Sequence, residues 1–254
     1  MIINPQHRNN GFHSTGTCGT FGAAAASSKI IGLGSKDTIN AIGLAGTQAA
    51  GLLESDHTGS MGKHLHAGKS AQAGVISALL AENKFNGANS IIEGREGFLK
   101  AMVSENHYRN YKNKINKILE NKKYHITDVY FKKYPICRHL HSSIDAIINI
   151  YNQMVLDGTK TEDIHLINIK TYEIAAEHDD YNPQSIEAVR QSLPVTSALG
   201  ILNGGLNLND MEIDSETISM ASKINIDIDR DFNKLYPGKR PSEITVVTNK
   251  KKYI

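Results

Sequence analysis

The sequence predicts an α+β chain, with a helical domain over residues 1–120 and a smaller α+β domain over residues 121–254, and three observations carry that prediction. Residues 14 to about 110 are rich in Ala and Gly, with apolar residues at helical spacing. From about Lys123 the texture changes to β-branched, alternating runs. Two segments of helical period lie between those runs, and the order strand, helix, strand, helix, strand defines a small α+β unit. The boundary is expected near residues 112–124.

The first helix is read from GFHSTGTCGTFGAAAA, residues 11–26, with Ser14 as its N-cap. Gly16, Gly19 and Gly22 each cost a helix about 1 kcal/mol relative to Ala. Close backbone packing by small residues is expected to offset that cost. His13 would stand just before the cap, beside free N–H groups and the positive end of the helix, where a carboxylate or phosphate is stabilised. Ser35 caps a second helix running through Ile39, Ile42 and Leu44 to Leu53. A third begins near Ala67, with Ala71, Val75, Ala78 and Leu79 on one face, and ends at Phe85–Gly87. A fourth covers Ile91–Val103 and leads into a lysine-rich stretch. Strands are expected at 126–134, 164–172 and 243–248, and helices at 139–156 and 184–202.

Composition excludes several classes. A hydrophobic fraction of 40% over 254 residues builds a core, and a net charge of +2 leaves no nucleic-acid footprint. Lys112, Lys114, Lys117, Lys122, Lys123, Lys132 and Lys133 crowd the middle of the chain. A solvated helix face and linker accounts for most of them, with Lys132 and Lys133 set apart by their place against the YPICRHLH motif. Cys18 and Cys137 are too few and too distant in sequence for a disulfide framework or a zinc site. MIINPQHRNN has no apolar signal core, and no run has the length of a membrane span, so a cytoplasmic protein is expected.

The chemistry lies in three blocks. Besides GFH at residues 11–13, GSMGKHLHAGK at 59–69 and KKYPICRHLHSS at 132–143 each set cations and a His-x-His pair against Gly or Pro, ahead of a helix. With EGREGFLKAM at 93–102, these motifs resemble the MmgE/PrpD family, which includes 2-methylcitrate dehydratase, cis-aconitate decarboxylase and iminodisuccinate epimerase. The resemblance runs in order from about Gly11 to the YPGKRPSEITVV stretch ending at Val247. It implies an all-helical domain completed from both ends of a longer chain and a smaller α+β lid inserted between. The present chain is therefore expected to be truncated at both ends: a fragment, half of a split enzyme, or a remnant.

Removing water or carbon dioxide from a polycarboxylate builds negative charge beside carboxylates already ionised, so a site for it needs cations and a placed acid and base. The resemblance puts the lysine of Lys-x-x-His, here Lys63 with His66, in the active site, and places His13 and the segment around His141 at the substrate cleft. His13 or His141 is read as the proton-transfer group and Lys63 as the charge stabiliser. His66, Lys132 and Arg138 are read as substrate-binding residues, Arg138 as a bidentate carboxylate clamp. Lys63 gains its functional reading from a Gly-flanked loop ahead of a helix. His64 and His139 are read as bystanders, Cys137 as a packed thiol, and Arg190 as either a cleft residue or a helix-surface residue.

Two departures weigh against activity. Val195 stands where the family resemblance implies a tyrosine near the substrate. The acidic residue, threonine and histidine that the resemblance implies from N-terminal helices have no counterpart in the chain. The expected function is a hydro-lyase of the 2-methylcitrate dehydratase type on a small di- or tricarboxylic acid, without an organic cofactor or metal. The partner is a second copy through the helical domain, or a complementing N-terminal fragment. The alternatives are a non-catalytic relic and, further off, a metal-dependent hydrolase using the His-x-His pairs with Asp56 and His57.

Overall fold

A computed structural model of the chain describes residues 3–103, 108–120 and 124–254, without the side chains at 57, 108–110, 112, 113 and 119. His57, Lys112, Lys122 and Lys123, weighed above from sequence, thus lie outside the described side chains. The chain divides into two units, Met1–Ser55 with Met61–Val129, and Asp56–Ser60 with Tyr130–Ile254. The fold is α+β.

The first unit is helical. Its elements in order are α1 (Gln6–Asn9), α2 (Ser14–Ile30), α3 (Ser35–Gln48), the turn α4 (Glu54–His57) that runs past its edge, α5 (Gly62–Glu82), α6 (Phe98–Met102) and α7 (Tyr108–Glu120). Small residues let the long helices approach closely. Gly19 lies against Ser70, and Gly74 against Ala23 and Ala24. Because both positions advance together, α2 and α5 run parallel. Gln48 of α3 donates to Ser77 of α5 at 2.8 Å, and Ala41 packs with Ala78 and Ala81, so α3 runs antiparallel to α5. Gly16 abuts the carbonyl of Ala50, so close packing accounts for two of the three glycines in α2. Gly22 differs: a Cβ there would meet nothing within 4 Å.

Several element limits differ from the sequence reading. His13, not Ser14, is the N-cap of α2, and Gly34, not Ser35, that of α3, because both are the last residues with extended backbone. The second helix stops at Gln48 rather than Leu53: Ala49 turns extended and Gly51 takes φ +149°. The third helix starts at Gly62, not near Ala67. Lys63, His64 and Leu65 carry no breaker, so the helix propagates back to the glycine, and the expected Gly-flanked loop at Lys63 is a first helical turn. Of 91–103 only Phe98–Met102 is helical. Gly94 and Gly97 punctuate the rest, Gly94 N–H bonding Ser90 O and Phe98 N–H returning to Ile91 O.

The second unit holds α8 (His141–Leu156), β1 (Ile164–Thr171), α9 (Glu173–Ala176), α10 (Ile186–Val189), α11 (Leu193–Asn203), α12 (Ser215–Ala221), β2 (Ile224–Ile228), α13 (Arg230–Leu235), β3 (Ser242–Thr248) and β4 (Lys252–Tyr253). The sheet order is β2-β1-β3-β4. β1 pairs parallel with β2 and antiparallel with β3. Alternation along β1 buries Ile167 and Ile169 fully, and Ile164, beyond a register shift between Ile164 and Leu166, is buried as well; Ile167 stands opposite Ile224 and Ile169 opposite Ile244. That face packs with Ile144, Ile147 and Met154 of α8 and with Leu193, Val195 and Ile201 of α11 in one core.

The expected strand at 126–134 does not form. Residues His125–Asp128 make a 3-10 turn, held locally by His125 Nδ1 to Asp128 at 3.0 Å and Thr127 to the Tyr124 carbonyl at 3.1 Å. Phe131 is 97% exposed, and among the described residues the sheet consists of four strands none of which pairs with this run. The helix expected at 184–202 is two helices: the first stops at Val189 with Arg190 as its C-cap, and Ser192 caps the second, accepting from Val195 N–H at 3.0 Å. β2 was missed: INIDI is short and runs straight into an acidic helix start.

Candidate active site

In the first unit, Gly11–His13 pairs back on Gly51–Leu53. His13 N–H donates to Gly51 O at 3.0 Å, and Leu53 N–H donates to Gly11 O at 2.8 Å. Gly11 takes φ +83°, a conformation that favours glycine. This anchor sets His13 as the N-cap of α2 with its ring beside α5, where His13 Nδ1 and His66 Nδ1 are 2.8 Å apart. One ring must present N–H and the other its lone pair, so the two share one proton at this contact. A Cβ added to Gly51 would lie 3.5 Å from the His66 ring, on a φ that disfavours side chains, so glycine keeps that wall flat.

Lys63 and His66 stand three residues apart on α5, hence on one face. Among the described residues, the N-cap residues of α2 and α5, His13 and Met61, make no side-chain capping bond to their helices. The parallel helices α2 and α5 thus meet near their N-terminal turns at the His13–His66 contact, and the positive end of a helix favours negative charge. Behind it lies His7, which sequence reasoning missed. It is fully buried, with Nε2 3.0 Å from Thr17 Oγ1. Burial first, and the neighbouring His13 second, push its pKa down to about 4, so it stays neutral and braces the first turn of α2.

The second unit carries a separate group. His141, the first residue of α8, is 3% exposed, and its Nε2 has no hydrogen-bond partner among the described residues. Burial lowers its pKa to about 4, with the charges of Arg138 and Lys132 adding to the effect. His141 is thus neutral at physiological pH, with an unsatisfied nitrogen. Lys132 donates to the Ile136 carbonyl at 3.0 Å. Lys133, by contrast, is committed to Asp145 at 2.6 Å, an acceptor it shares with the Tyr134 hydroxyl. Arg138 lies over the Tyr130 ring at 5.1 Å.

His139, read from sequence as a bystander, contacts three other rings. Its Nδ1 is 2.6 Å from Tyr172 Oη, and its ring neighbours those of His178 and Tyr236. Burial pushes the Tyr172 phenol above its ordinary range, so it remains protonated. The packed thiol Cys137 faces His178 Nε2 at 3.5 Å. Arg190 pairs with Glu187 at 2.6 Å. Tyr172, His178, Tyr236 and Arg240 were not singled out from sequence; the signal for His178 was its setting in EHDD, that for Tyr236 and Arg240 the YPGKRP run, and Tyr172 had none beyond the end of a strand pattern. A cavity of about 210 Å³ in this unit is lined by Asp56, Glu177, Asp179 and Asp180 besides His178, and its carboxylates disfavour a polyanion.

Among the described residues no three His, Cys, Asp or Glu side chains are grouped to hold a metal. No helix among them is long and apolar enough to cross a membrane.

Comparison with known proteins agrees with the motifs. Over 199 residues the chain is 28% identical to the cis-aconitate decarboxylase-like protein oryM of Aspergillus oryzae, covering 76% of this chain and 39% of that protein. It is 24% identical over 199 residues to a cis-aconitate decarboxylase of Aspergillus terreus, covering 76% and 40%. With the human cis-aconitate decarboxylase the identity is 25% over 237 residues, covering 89% of this chain and 47% of the relative. The chain therefore spans less than half the length of these curated relatives. Residues 1–110 match the MmgE/PrpD N-terminal domain and residues 134–254 the MmgE/PrpD C-terminal domain, and with both in order along the sequence the chain belongs to the MmgE/PrpD family.

Proposed function

We propose that the chain is part of a lyase that removes carbon dioxide or water from a small di- or tricarboxylic acid. The observation that carries the proposal is the His13–His66 pair at 2.8 Å, set where two parallel helices begin and one helical turn from Lys63. Lys63 supplies fixed positive charge to the carbanion-like state, and His13, relayed by His66, moves the proton. His141 is neutral and has an unsatisfied nitrogen, so it serves as a hydrogen-bonding acid or base, leaving Lys132 and Arg138 to hold carboxylates. The names of the relatives weight the choice towards decarboxylation of a cis-aconitate-like acid, and a hydro-lyase acting on 2-methylcitrate is the neighbouring reading.

The working unit contains a further polypeptide, either a second copy or a fragment supplying complementary helices. Leu65, Val75, Ile76 and Leu79 of α5 are exposed on one helical face, which supports that reading. The decisive experiment follows cis-aconitate, 2-methylcitrate and citrate by carbon dioxide release and ultraviolet absorbance, with the chain alone and with complementing helices supplied. Lys63→Ala is expected to lower the rate about 10²-fold or more. Undiminished turnover in that variant refutes the role of Lys63. No turnover in a correctly assembled complex favours a non-catalytic relic, a reading supported by Val195, whose side chain is wholly buried in the core and offers no phenol.

A further inference from the structure

Arg240 stands in the second unit with its guanidinium 5.9 Å from the centre of the Tyr236 ring. Its Nε is buried and without a hydrogen-bond partner, and among the described residues Arg240 makes no ion pair. Leaving a buried donor of a charged group unsatisfied is costly. That cost is removed when an acceptor arrives with a ligand.

The surroundings hold the guanidinium in place. Tyr236 stacks on Tyr172, ring centres 5.3 Å apart and planes within 14°, and Tyr172 is fixed in turn by His139 at 2.6 Å. The loop that carries Arg240 is tied at both ends. Asn233 accepts from Glu173 N–H at 2.7 Å, and Thr171 donates to the Pro241 carbonyl at 3.0 Å. A planar, always-charged fork shelved on an aromatic ring is pre-organised for bidentate capture of a carboxylate. Arg138, next to His139 in sequence, has no carboxylate partner either among the described residues, and both guanidiniums lie near enough to Tyr172 to bear on its hydroxyl.

We propose that Arg240, shelved on Tyr236, is a substrate-binding residue that takes one carboxylate of a polycarboxylic acid, a carboxylate other than the one at the reacting carbon. The identity of the acid rests on the lyase reading; the capture of a carboxylate by Arg240 does not.

The test is binding, not turnover. Propane-1,2,3-tricarboxylate, an unreactive tricarboxylate, is titrated into the full chain by calorimetry, with succinate and inorganic phosphate as comparison anions. The arginine Nε–H signals are followed by nitrogen-15 NMR. The wild type is expected to bind the tricarboxylate and to shift one Nε–H signal that is missing from Arg240→Lys. Arg240→Gln is expected to weaken the tricarboxylate about tenfold or more, with a smaller effect on phosphate, and Arg240→Lys to recover part of the loss. Equal binding by wild type and Arg240→Gln, or no carboxylate binding by the wild type, overturns the assignment. Turnover that survives Arg240→Gln overturns the assignment while leaving the lyase reading intact. Tricarboxylate binding that depends on Arg240, in a complex that turns over none of the three acids, leaves the assignment and defeats the lyase reading.

Discussion

His13 Nδ1 and His66 Nδ1 lie 2.8 Å apart, joining the N-cap of one helix to the first turns of a parallel one. Since only one of the two nitrogens carries the proton, removing either ring abolishes the same interaction. Urea unfolding of His13→Ala, His66→Ala and the double variant should therefore be non-additive, with a coupling of about 0.5–1.5 kcal/mol. Strict additivity would show that the contact does not form in solution.

Acid should destabilise the protein through His7 and His141. Both have folded pKa values of about 4, below the ordinary 6.5, so the unfolded chain takes up protons between those values that the folded chain refuses. Stability is then full above about pH 6.5 and falls as the pH drops towards 4, by up to about 3 kcal/mol for each histidine. The slope of unfolding free energy against pH should flatten in His141→Asn and in His7→Asn. An unchanged slope in both would contradict neutral burial.

Two glycines of one helix should respond in opposite senses to the same substitution. A Cβ on Gly74 would lie 2.6 Å from the backbone nitrogen of Ala24, whereas one on Gly68 meets nothing within 4 Å. Gly74→Ala should cost at least about 1–3 kcal/mol through forced separation of α2 and α5. Gly68→Ala should raise stability by about 0.5–1 kcal/mol through helix propensity alone. Thermal melts of the two variants decide it; a destabilising Gly68→Ala would mean that another helix covers that face.

The exposed face of α5 should drive association. Leu65, Val75 and Leu79 are 67%, 45% and 46% exposed, and no charged side chain separates Val75 from Leu79 along that face. Light scattering at micromolar concentration should show a particle larger than the 27.8 kDa chain. Val75→Glu with Leu79→Glu should shift it towards monomer without lowering the melting temperature. A monodisperse wild-type monomer would refute the association.

Long, strongly patterned stretches were legible. The Ala/Gly run of α2 announced close helix packing, and Gly19 against Ser70 and Gly74 against Ala23 supply it. The alternation at 164–171 announced β1, because one face of a sheet strand must be buried. The run at 126–134 has similar residue types and failed as a strand, since β propensity acts only where a neighbouring strand offers a ladder. His139 looked idle in sequence because its partners Tyr172, His178 and Tyr236 are 33 to 97 residues away, which no spacing rule links.

By itself, the sequence determined the residue types that matter and their order: GFH, KHLH and YPICRHLH, the helical first part, the β1 and β3 strands, and so the family. These follow from local period, turn chemistry and motif. The tertiary structure alone decided that α2 and α5 run parallel, which brings His13 onto His66; that His7 and His141 are buried enough to stay neutral; and that Arg240 rests on Tyr236 with a donor unsatisfied. Each of those depends on which distant segments exclude water from a side chain, and desolvation is a property of the packed chain rather than of any stretch of it.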